Sequence, residues 1–258
     1  MDRMTIKARL RKGFAPSWVC PTCNKGHLKL KKESFFESEI SNSRDHSHDA
    51  WEPQWMRYVF LCQLICDNAS CKEVVMCSGE GEVDIDYSID NDGSHSEEWS
   101  DYYLPKYFQP HLNLFEIPKS CPAAVSEPLK ESFSLFFTSP SAALNCVRIS
   151  IEGLLTNLKI KRYDRTSGGL HNISLHRRIG LLPSKFNEHK EMLMASKWLG
   201  NAGSHNEKSI THDDVLDAYE FLDHVLHEIY ASKAKELIAR AKQVNKRKGP
   251  IKKSRISF

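Results

Sequence analysis

The 258-residue chain has 36 Lys and Arg residues against 33 Asp and Glu, and 40% of its residues are hydrophobic. That apolar content excludes a disordered protein, and the absence of any run of about 18 apolar residues excludes a transmembrane helix. Because the first residues also lack the apolar core of a signal peptide, we expect a cytoplasmic protein with no membrane partner.

The net charge of +3 is the sum of two opposed blocks. Residues 232–258 contain ten Lys or Arg and one acidic residue, Glu236, whereas residues 80–101 contain nine acidic residues and no Lys or Arg. Separated charge of this kind indicates interaction surfaces. Six cations near the chain end are candidate nucleic-acid contacts: Lys246, Arg247, Lys248, Lys252, Lys253 and Arg255. A disordered, solubilising tail is the alternative.

The chain contains eight cysteines, and closely spaced cysteines in a cytoplasmic protein indicate metal binding more often than disulfides. Cys20 and Cys23 bracket a Pro-Thr turn, and Cys66 and Cys71 bracket a second short loop. Four thiolates leave no ligand position open for water, so this set predicts a structural zinc. Two alternatives stay open: the thiols are buried without a metal, or Cys62 takes the place of Cys66.

Alternating apolar residues around these loops predict short antiparallel strands, near residues 27–30, 58–61, 73–76 and 83–87. The segment Gly79-Glu80-Gly81 predicts a turn between the last two strands. We therefore expect a zinc ribbon over residues 1–101. His46 and His48 lie in a polar stretch, which we interpret as a solvated loop in preference to a second metal site.

The second half of the chain predicts an arm followed by helices. Residues 102–128 contain five prolines among apolar and aromatic residues, which predicts an extended arm along a folded surface. Helical periodicity then predicts an antiparallel bundle over residues 129–242, with a basic tail at 243–258. The expected helices cover residues 129–137, 140–158, 174–182, 184–199 and 211–241. Ser139 and Thr211 are the predicted N-caps, and Gly200 to Gly203 is predicted to close the fourth helix.

Two polar groups in the bundle are candidates for chemistry. Arg148 and Glu152 share one helix face, where a simple salt bridge is the alternative to a functional role. Asn201 and His205 lie on a glycine-rich turn. They would either cap helices or position a phosphate or ribose hydroxyl, with His205 as general acid or base.

The order of these motifs resembles a large bacterial family of unknown function, whose members join a CPxC zinc ribbon to a Pro-rich arm and a helical domain. The matching motifs are Trp18-x-Cys20-Pro21-x-Cys23, Cys66-x4-Cys71, Ser139-Pro140-Ser141-Ala142-Ala143 leading to Arg148-x3-Glu152, and Gly200-Asn201-x3-His205. The fold class implied is α+β.

The helical domain is similar to the higher-eukaryote-and-prokaryote nucleotide-binding (HEPN) bundles, many of which are RNases of toxin and antiphage systems. The resemblance implies that His205 is the counterpart of their catalytic histidine and that the bundle forms a homodimer. It also implies a link to restriction-modification and phage defence. The RNase motif separates an Arg from the His by four to six intervening residues, and at the corresponding positions this chain has Trp198, Leu199 and Gly200. Arg148 or Lys197 would have to supply that charge.

Three functions follow as hypotheses. The first is a nucleic-acid-binding or partner-binding component of a bacterial defence system, with RNA or DNA bound through the ribbon and basic tail. The second is a metal-independent endoribonuclease that uses His205, with Asn201 and Arg148 or Glu152 nearby. The third is a structural or regulatory assembly protein in which residues 80–101 mimic nucleic acid or mask the basic tail.

Overall fold

The computed structural model of the chain describes residues 2–89, 95–166, 168–202, 210–231 and 233–250. An antiparallel half-barrel sheet comes first and a domain of about six helices follows, so the expected α+β class is confirmed. None of the described helices combines the length and the apolar character that a bilayer span requires.

The N-terminal sheet contains five antiparallel strands after a short helix, α1 (Arg3–Lys7). The strands are β1 (Leu28–Leu30), β2 (Phe36–Glu39), β3 (Arg57–Cys66), β4 (Val74–Ile89) and β5 (His95–Gln109). They follow the order β1-β3-β4-β5, and β2 pairs with the other end of β3. Alternate residues of β3, among them Phe60, Cys62 and Leu64, are buried on the inner face. This is the period of two expected for a strand with one covered face.

Strand β4 corrects the predicted turn at Gly79-Glu80-Gly81, because it runs through both glycines without a break. A Cβ at Gly79 would overlap the carbonyl oxygen of Leu104, and a Cβ at Gly81 would lie 2.9 Å from the Tyr103 ring. These glycines therefore allow β5 to approach β4 closely, a role that glycine takes in strands as readily as in turns.

The predicted arm is also corrected at its beginning, since residues 102–109 belong to β5. Pro105 is accommodated because β5 is the last strand in the sheet order and because the register shifts between Ser78 and Gly79, opposite this proline. An edge strand with a bulge needs no N–H donor at that position. Between β5 and the next helix, residues 110–122 are the segment without strand or helix.

The end of the predicted arm begins helix α2 (Ala123–Leu135), which contains Pro128. A proline inside a helix leaves the carbonyl four residues earlier, here that of Ala124, without its helical partner. Gly153 of the next helix lies so close to this carbonyl that a Cβ would overlap its oxygen. The missing N–H and the missing Cβ therefore allow two helix backbones to touch.

The helical domain continues with four more helices and a small β-hairpin. The hairpin was not predicted from the sequence. These elements are α3 (Pro140–Asn157), the hairpin of β6 (Tyr163–Thr166) and β7 (Gly169–Asn172), α4 (Leu175–Gly180), α5 (Asn187–Ala202) and α6 (His212–Leu226). Both predicted N-caps are confirmed: Ser139 accepts from the N–H of Ala142, and Thr211 forms a capping box with Asp214.

The predicted last helix is divided into two. A π-helical turn (His227–Ala231) follows α6, and the cationic helix α7 (Lys233–Arg247) comes after it. Lys246 and Arg247 therefore lie in the last turn of a helix, and not in a tail that begins at residue 243.

The two domains share one apolar core. Phe108 of β5 packs against Phe137 after α2, and Phe115 packs edge-on against Phe133 with ring centroids 5.0 Å apart. Tyr219 of α6 is fully buried beside Phe133. This continuous core fixes the sheet against the helices.

The N-terminal segment adds ion pairs across the same junction. Arg3 contacts Asp217 and Glu220 of α6, each at 2.6 Å, while Arg9 contacts Glu82 and Asp84 of β4 at 3.2 and 3.0 Å. Residues 3–12 therefore link the helical domain to the sheet.

Candidate functional site

The four predicted cysteine ligands are brought together by the fold. The sulfur atoms of Cys20, Cys23, Cys66 and Cys71 all lie within 4.8 Å of one another, which is consistent with a metal site such as zinc. The Cys20–Cys71 and Cys23–Cys66 sulfur pairs are 3.8 and 3.7 Å apart. Tetrahedral zinc with Zn–S bonds of about 2.3 Å requires sulfur pairs about 3.8 Å apart. The donor set and its spacing therefore fit zinc.

Backbone groups hold the two cysteine loops in this arrangement. The N–H of Cys20 donates to the carbonyl of Gly26 at 2.8 Å, and the N–H of Asp67 donates to the carbonyl of His27 at 2.9 Å. The Asp67 carboxylate accepts from the N–H of His27, so the first loop is bonded directly to the second. A Cβ at Gly26 would lie 2.6 Å from the Cys66 sulfur, so only glycine fits between the loops.

The loops also shift the pKa values of the cysteine thiols. The N–H of Gly26 donates to Cys23 Sγ at 3.3 Å, and backbone donors of this kind lower the pKa of the Cys23 thiol to about 6. Burial raises the pKa of the Cys66 thiol to about 12. Since zinc binds thiolates, metal binding at this site must displace the proton of Cys66.

Cys62 does not replace Cys66. It lies directly opposite Cys77 in the β3–β4 ladder, and both side chains are buried in the sheet core. Its side chain lies on the same buried face of β3 as Cys66, but four residues earlier along the strand, and the cysteine cluster does not include it. The sequence left this alternative open because Cys62 and Cys66 are close in number, and only the strand register separates them.

His46 and His48 do not form a second metal cluster with the described residues. His46 Nε2 lies 2.9 Å from the Glu39 carboxylate and its ring contacts Trp51, while His48 contacts Trp55. These contacts agree with the solvated-loop interpretation.

The candidate residues of the bundle are divided between two places. Arg148 packs against α5, where a Cβ at Gly200 would lie 2.5 Å from its Cδ. Glu152 forms no ion pair with Arg148, so the expected salt bridge is absent. Glu152 instead lines a cavity with Arg178 of α4. Gly200 itself lies within α5, and the helix ends at Ala202, inside the segment Gly200 to Gly203 that was predicted to close it.

Arg148 and Lys197 form a cationic pair, which we call the Arg148–Lys197 cluster. Lys197 is 7% exposed, and its burial together with the charge of Arg148 lowers its pKa. Arg148 Nε is buried without a hydrogen-bond partner. Lys197 Nζ lies 3.2 Å from the centroid of the Trp198 ring, which is 55% exposed. Among the described residues, no carboxylate forms an ion pair with either cation.

Asn201 lies in the last turn of α5, one helical turn after Lys197 and therefore on the same face. His205 lies outside the described residues. The arrangement that the resemblance implies therefore stays a prediction, and the structure shows only that Arg148 contacts α5 at Gly200.

Helix α7 displays the predicted nucleic-acid cations that the structure describes. Lys246, Arg247 and Lys248 are exposed, as are Arg240 and Lys242, and none of the five has an ion-pair partner among the described residues. The remaining predicted contacts, Lys252, Lys253 and Arg255, lie outside the described residues.

Three cations of the N-terminal segment pair with four of the nine acidic residues in the block of residues 80–101. Besides the two carboxylates on Arg9, Asp86 contacts Arg11 at 2.9 Å and Asp101 contacts Lys12 at 3.4 Å. Glu97 and Glu98 have no ion-pair partner in the described part of the chain. The sequence showed the acidic run but not the cations that fold onto it, because these lie about 75 residues away.

Two protein families match separate parts of the chain. Residues 8–108 match a family described as Domain of unknown function (DUF8608). Residues 130–247 match a second, described as Domain of unknown function (DUF4145). No curated protein and no solved structure matches the chain. The similarity therefore covers both domains and supports the predicted resemblance in part, and it identifies no activity.

Proposed function

We propose that the protein is a nucleic-acid-associated component of a bacterial restriction or antiphage defence system, and that zinc in the four-cysteine cluster is structural. The closed all-thiolate donor set supports a structural metal, because it leaves no position for a reactive water. The defence context rests on the resemblance of the motifs alone. The proposed contact with nucleic acid rests on the arrangement of cations in the helical domain.

The observation that carries nucleic-acid binding is the Arg148–Lys197 cluster beside Trp198. Two neighbouring cations with no described counter-ion are stabilised when a phosphate lies between them. An exposed indole next to such a phosphate site offers a face on which a base can stack. Helix α7 adds four exposed cations and Lys248 directly after it a fifth, and each phosphate contact made by such a cation releases counterions.

The test is fluorescence anisotropy with single-stranded RNA, single-stranded DNA and duplex DNA, measured with the full chain at several salt concentrations. Replacing Arg240, Lys242, Lys246 and Arg247 by Gln preserves the length of α7 and removes four of its six cations. We expect the slope of log affinity against log salt to fall by about one for each lost contact. Lys119→Gln, an exposed cation between the domains, is the matched control. Equal slopes for the α7 variant, the control and wild type would refute a role for α7.

Lys197→Met tests the role of the Arg148–Lys197 cluster independently of helix α7. The change keeps the length of a buried side chain and removes its charge, so we expect affinity for single strands to fall about tenfold while duplex binding through α7 changes less. A loss that is equal for every nucleic acid, or no loss, would contradict the assignment of the cluster to single strands.

The second candidate function is a metal-independent endoribonuclease. It is supported by Arg148, which reaches the Asn201 end of α5 and thereby offers the cation that this helix lacks near His205. This function predicts RNA cleavage in the presence of EDTA that is lost in His205→Ala and reduced in Arg148→Gln. Cleavage that is equal in wild type and His205→Ala, or absent on tRNA and mRNA substrates, would exclude it.

The homodimer and the regulatory assembly function stay predictions. Pairing of the acidic block with Arg9, Arg11 and Lys12 leaves fewer carboxylates to mask α7, so it favours nucleic-acid binding over masking. Sedimentation of the full chain measures the dimer directly.

A further inference from the structure

A cavity of about 290 Å³ lies on the helical domain between α3, the β6–β7 hairpin and α4. Its polar lining consists of Glu152, Arg162, Asn172, Ser174 and Arg178. The volume is at the lower end of the roughly 300–1,000 Å³ that is typical of small-molecule sites. The cavity contains neither the Arg148–Lys197 cluster nor any residue of α7.

Arg178 is the buried cation of this cavity, with only 2% of its surface exposed. Its Nη2 donates to Thr156 Oγ1 at 2.9 Å and to the carbonyl of Ile160 at 3.3 Å, and its Nη1 donates to the carbonyl of Glu152 at 3.4 Å. These acceptors are neutral, and Nε has no acceptor. Burial lowers the pKa of Arg178, and the charge of the Glu152 carboxylate, which is not hydrogen-bonded to it, opposes this shift. A buried guanidinium without a bonded carboxylate is stabilised by an anion.

Three other polar side chains around the cavity lack polar partners in the described part of the chain, although the Arg162 guanidinium lies over the Tyr163 ring, 5.9 Å from its centroid. The Arg162 guanidinium, the Glu152 carboxylate and the Asn172 amide form no hydrogen bond or ion pair with any residue in the described ranges. Ser174 Oγ accepts from the N–H of Arg177, so its hydroxyl hydrogen is free to donate. Unpaired donors and acceptors that surround one cavity point to a ligand that has both kinds of group.

The charges in the cavity limit the chemical class of ligand that it can bind. Two guanidinium groups against one carboxylate leave a net charge of +1 that favours an anion. The Glu152 carboxylate repels a bare phosphate but accepts hydrogen bonds from hydroxyl groups. We propose that this cavity binds a sugar phosphate, with the phosphate on Arg162 and Arg178 and the sugar hydroxyls on Glu152 and Asn172. This site is independent of nucleic-acid binding by α7.

Isothermal titration of the full chain with ribose 5-phosphate tests the proposal directly. We expect binding, and at least about tenfold weaker binding of ribose or of inorganic phosphate alone, because each lacks half of the hydrogen-bonding groups. Failure of ribose 5-phosphate to bind, or equal binding of inorganic phosphate, would overturn it.

Variants of lining residues, compared with a control variant outside the lining, test whether ribose 5-phosphate binds in the cavity. Arg162→Gln and Asn172→Ala change exposed residues of the lining and should each weaken ribose 5-phosphate binding about tenfold or more. Arg165→Gln removes an exposed arginine of the same hairpin that does not line the cavity, and it should bind like wild type. Equal weakening in Arg162→Gln and Arg165→Gln would show a general charge effect and overturn the site.

Glu152→Gln tests the sugar side of the site. Removing the repelling carboxylate should strengthen the binding of inorganic phosphate and reduce the preference for ribose 5-phosphate over phosphate. An unchanged preference would contradict the role given to Glu152. Arg178 is left unchanged in these variants because its hydrogen bonds join α4 to α3 and to the segment before the hairpin.

The sugar phosphate could belong to a free nucleotide or to the end of a nucleic acid, and two further probes distinguish these sources. They are AMP and an oligonucleotide that carries either a 5′-phosphate or a 5′-hydroxyl. An Arg162-dependent preference for the 5′-phosphate supports the terminus of a nucleic acid as the ligand. Binding of AMP without that preference supports a free nucleotide. The α7 variant distinguishes this site from the proposed function, because it should weaken oligonucleotides and leave ribose 5-phosphate unaffected.

Discussion

Gly26→Ala is a direct test of the four-cysteine cluster. The added Cβ would lie 2.6 Å from Cys66 Sγ and 2.8 Å from Asn68 Cβ. Comfortable contacts between such atoms are about 3.5–4.0 Å, so the sulfur or the loop must move by about 1 Å. Metal sites tolerate distance errors of only about 0.2 Å. The substitution should therefore displace one ligand while it leaves all four cysteines in the chain.

The magnitude follows from the energy per ligand. Structural zinc sites bind with about 10–16 kcal/mol, or roughly 2.5–4 kcal/mol for each of four thiolates. Full loss of one ligand would weaken zinc about 100- to 1,000-fold, and partial relaxation of the loop reduces this to about 10- to 100-fold. Because zinc binding stabilises only the folded state, the melting temperature in zinc should fall as well.

The assay is a chelator competition that measures zinc affinity, after the metal content of purified wild type has been determined. Gly180→Ala is the matched control, since a Cβ there meets nothing within 4 Å. It should bind zinc like wild type. If Gly26→Ala binds zinc within about threefold of wild type, the steric argument is refuted. Wild type that holds no zinc would refute the metal assignment itself.

Three further predictions concern stability. Ala in place of Gly in a helix normally stabilises by about 1 kcal/mol, but Gly153→Ala should destabilise by about 1–3 kcal/mol because its Cβ overlaps the Ala124 carbonyl. Arg3→Gln should cost at most about 1 kcal/mol at pH 7, since its ion pairs are partly exposed. Arg3 lowers the pKa of Glu220, so this cost should shrink as pH falls through the Glu220 pKa and the carboxylate protonates. Thr211→Ala removes the α6 capping box and should cost about 1 kcal/mol.

Urea unfolding of the full chain measures all three effects. Stabilisation by Gly153→Ala would contradict the close helix approach. A cost of Arg3→Gln that is the same at pH 7 and pH 3 would contradict the ion pair as its cause. An unchanged midpoint for Thr211→Ala would show that the capping box does not limit the stability of α6.

Much of the site was predictable wherever the signal is local. The spacing of Cys20 with Cys23 and of Cys66 with Cys71 predicted the cluster, because short loops bring paired thiols together whatever surrounds them. Ser139 and Thr211 predicted helix starts for the same reason, since a cap is bonded to residues only three positions away. The α+β order also followed from the change of hydrophobic period along the chain.

What only the tertiary structure decided depends on contacts between distant residues. Three glycines are typical of turns or helix ends in the sequence but allow close packing in the fold. Gly79 allows the β5 backbone to approach, Gly81 the Tyr103 ring, and Gly200 the Arg148 side chain. Pro105 is tolerated for a similar reason, because β5 happens to be an edge strand. A residue that permits a turn also permits close packing, and the sequence cannot separate the two uses without the partner.

The distribution of charge shows the same division. The sequence alone determined that the chain carries an acidic block and a basic end, since counting requires no fold. Tertiary structure decided that Arg9, Arg11 and Lys12 pair with four carboxylates of the acidic block. It also decided that the cations of α7 whose side chains are described stay unpaired among the described residues. Electrostatic pairing depends on distance in space, and the fold brings the N-terminal segment onto a strand some 75 residues away.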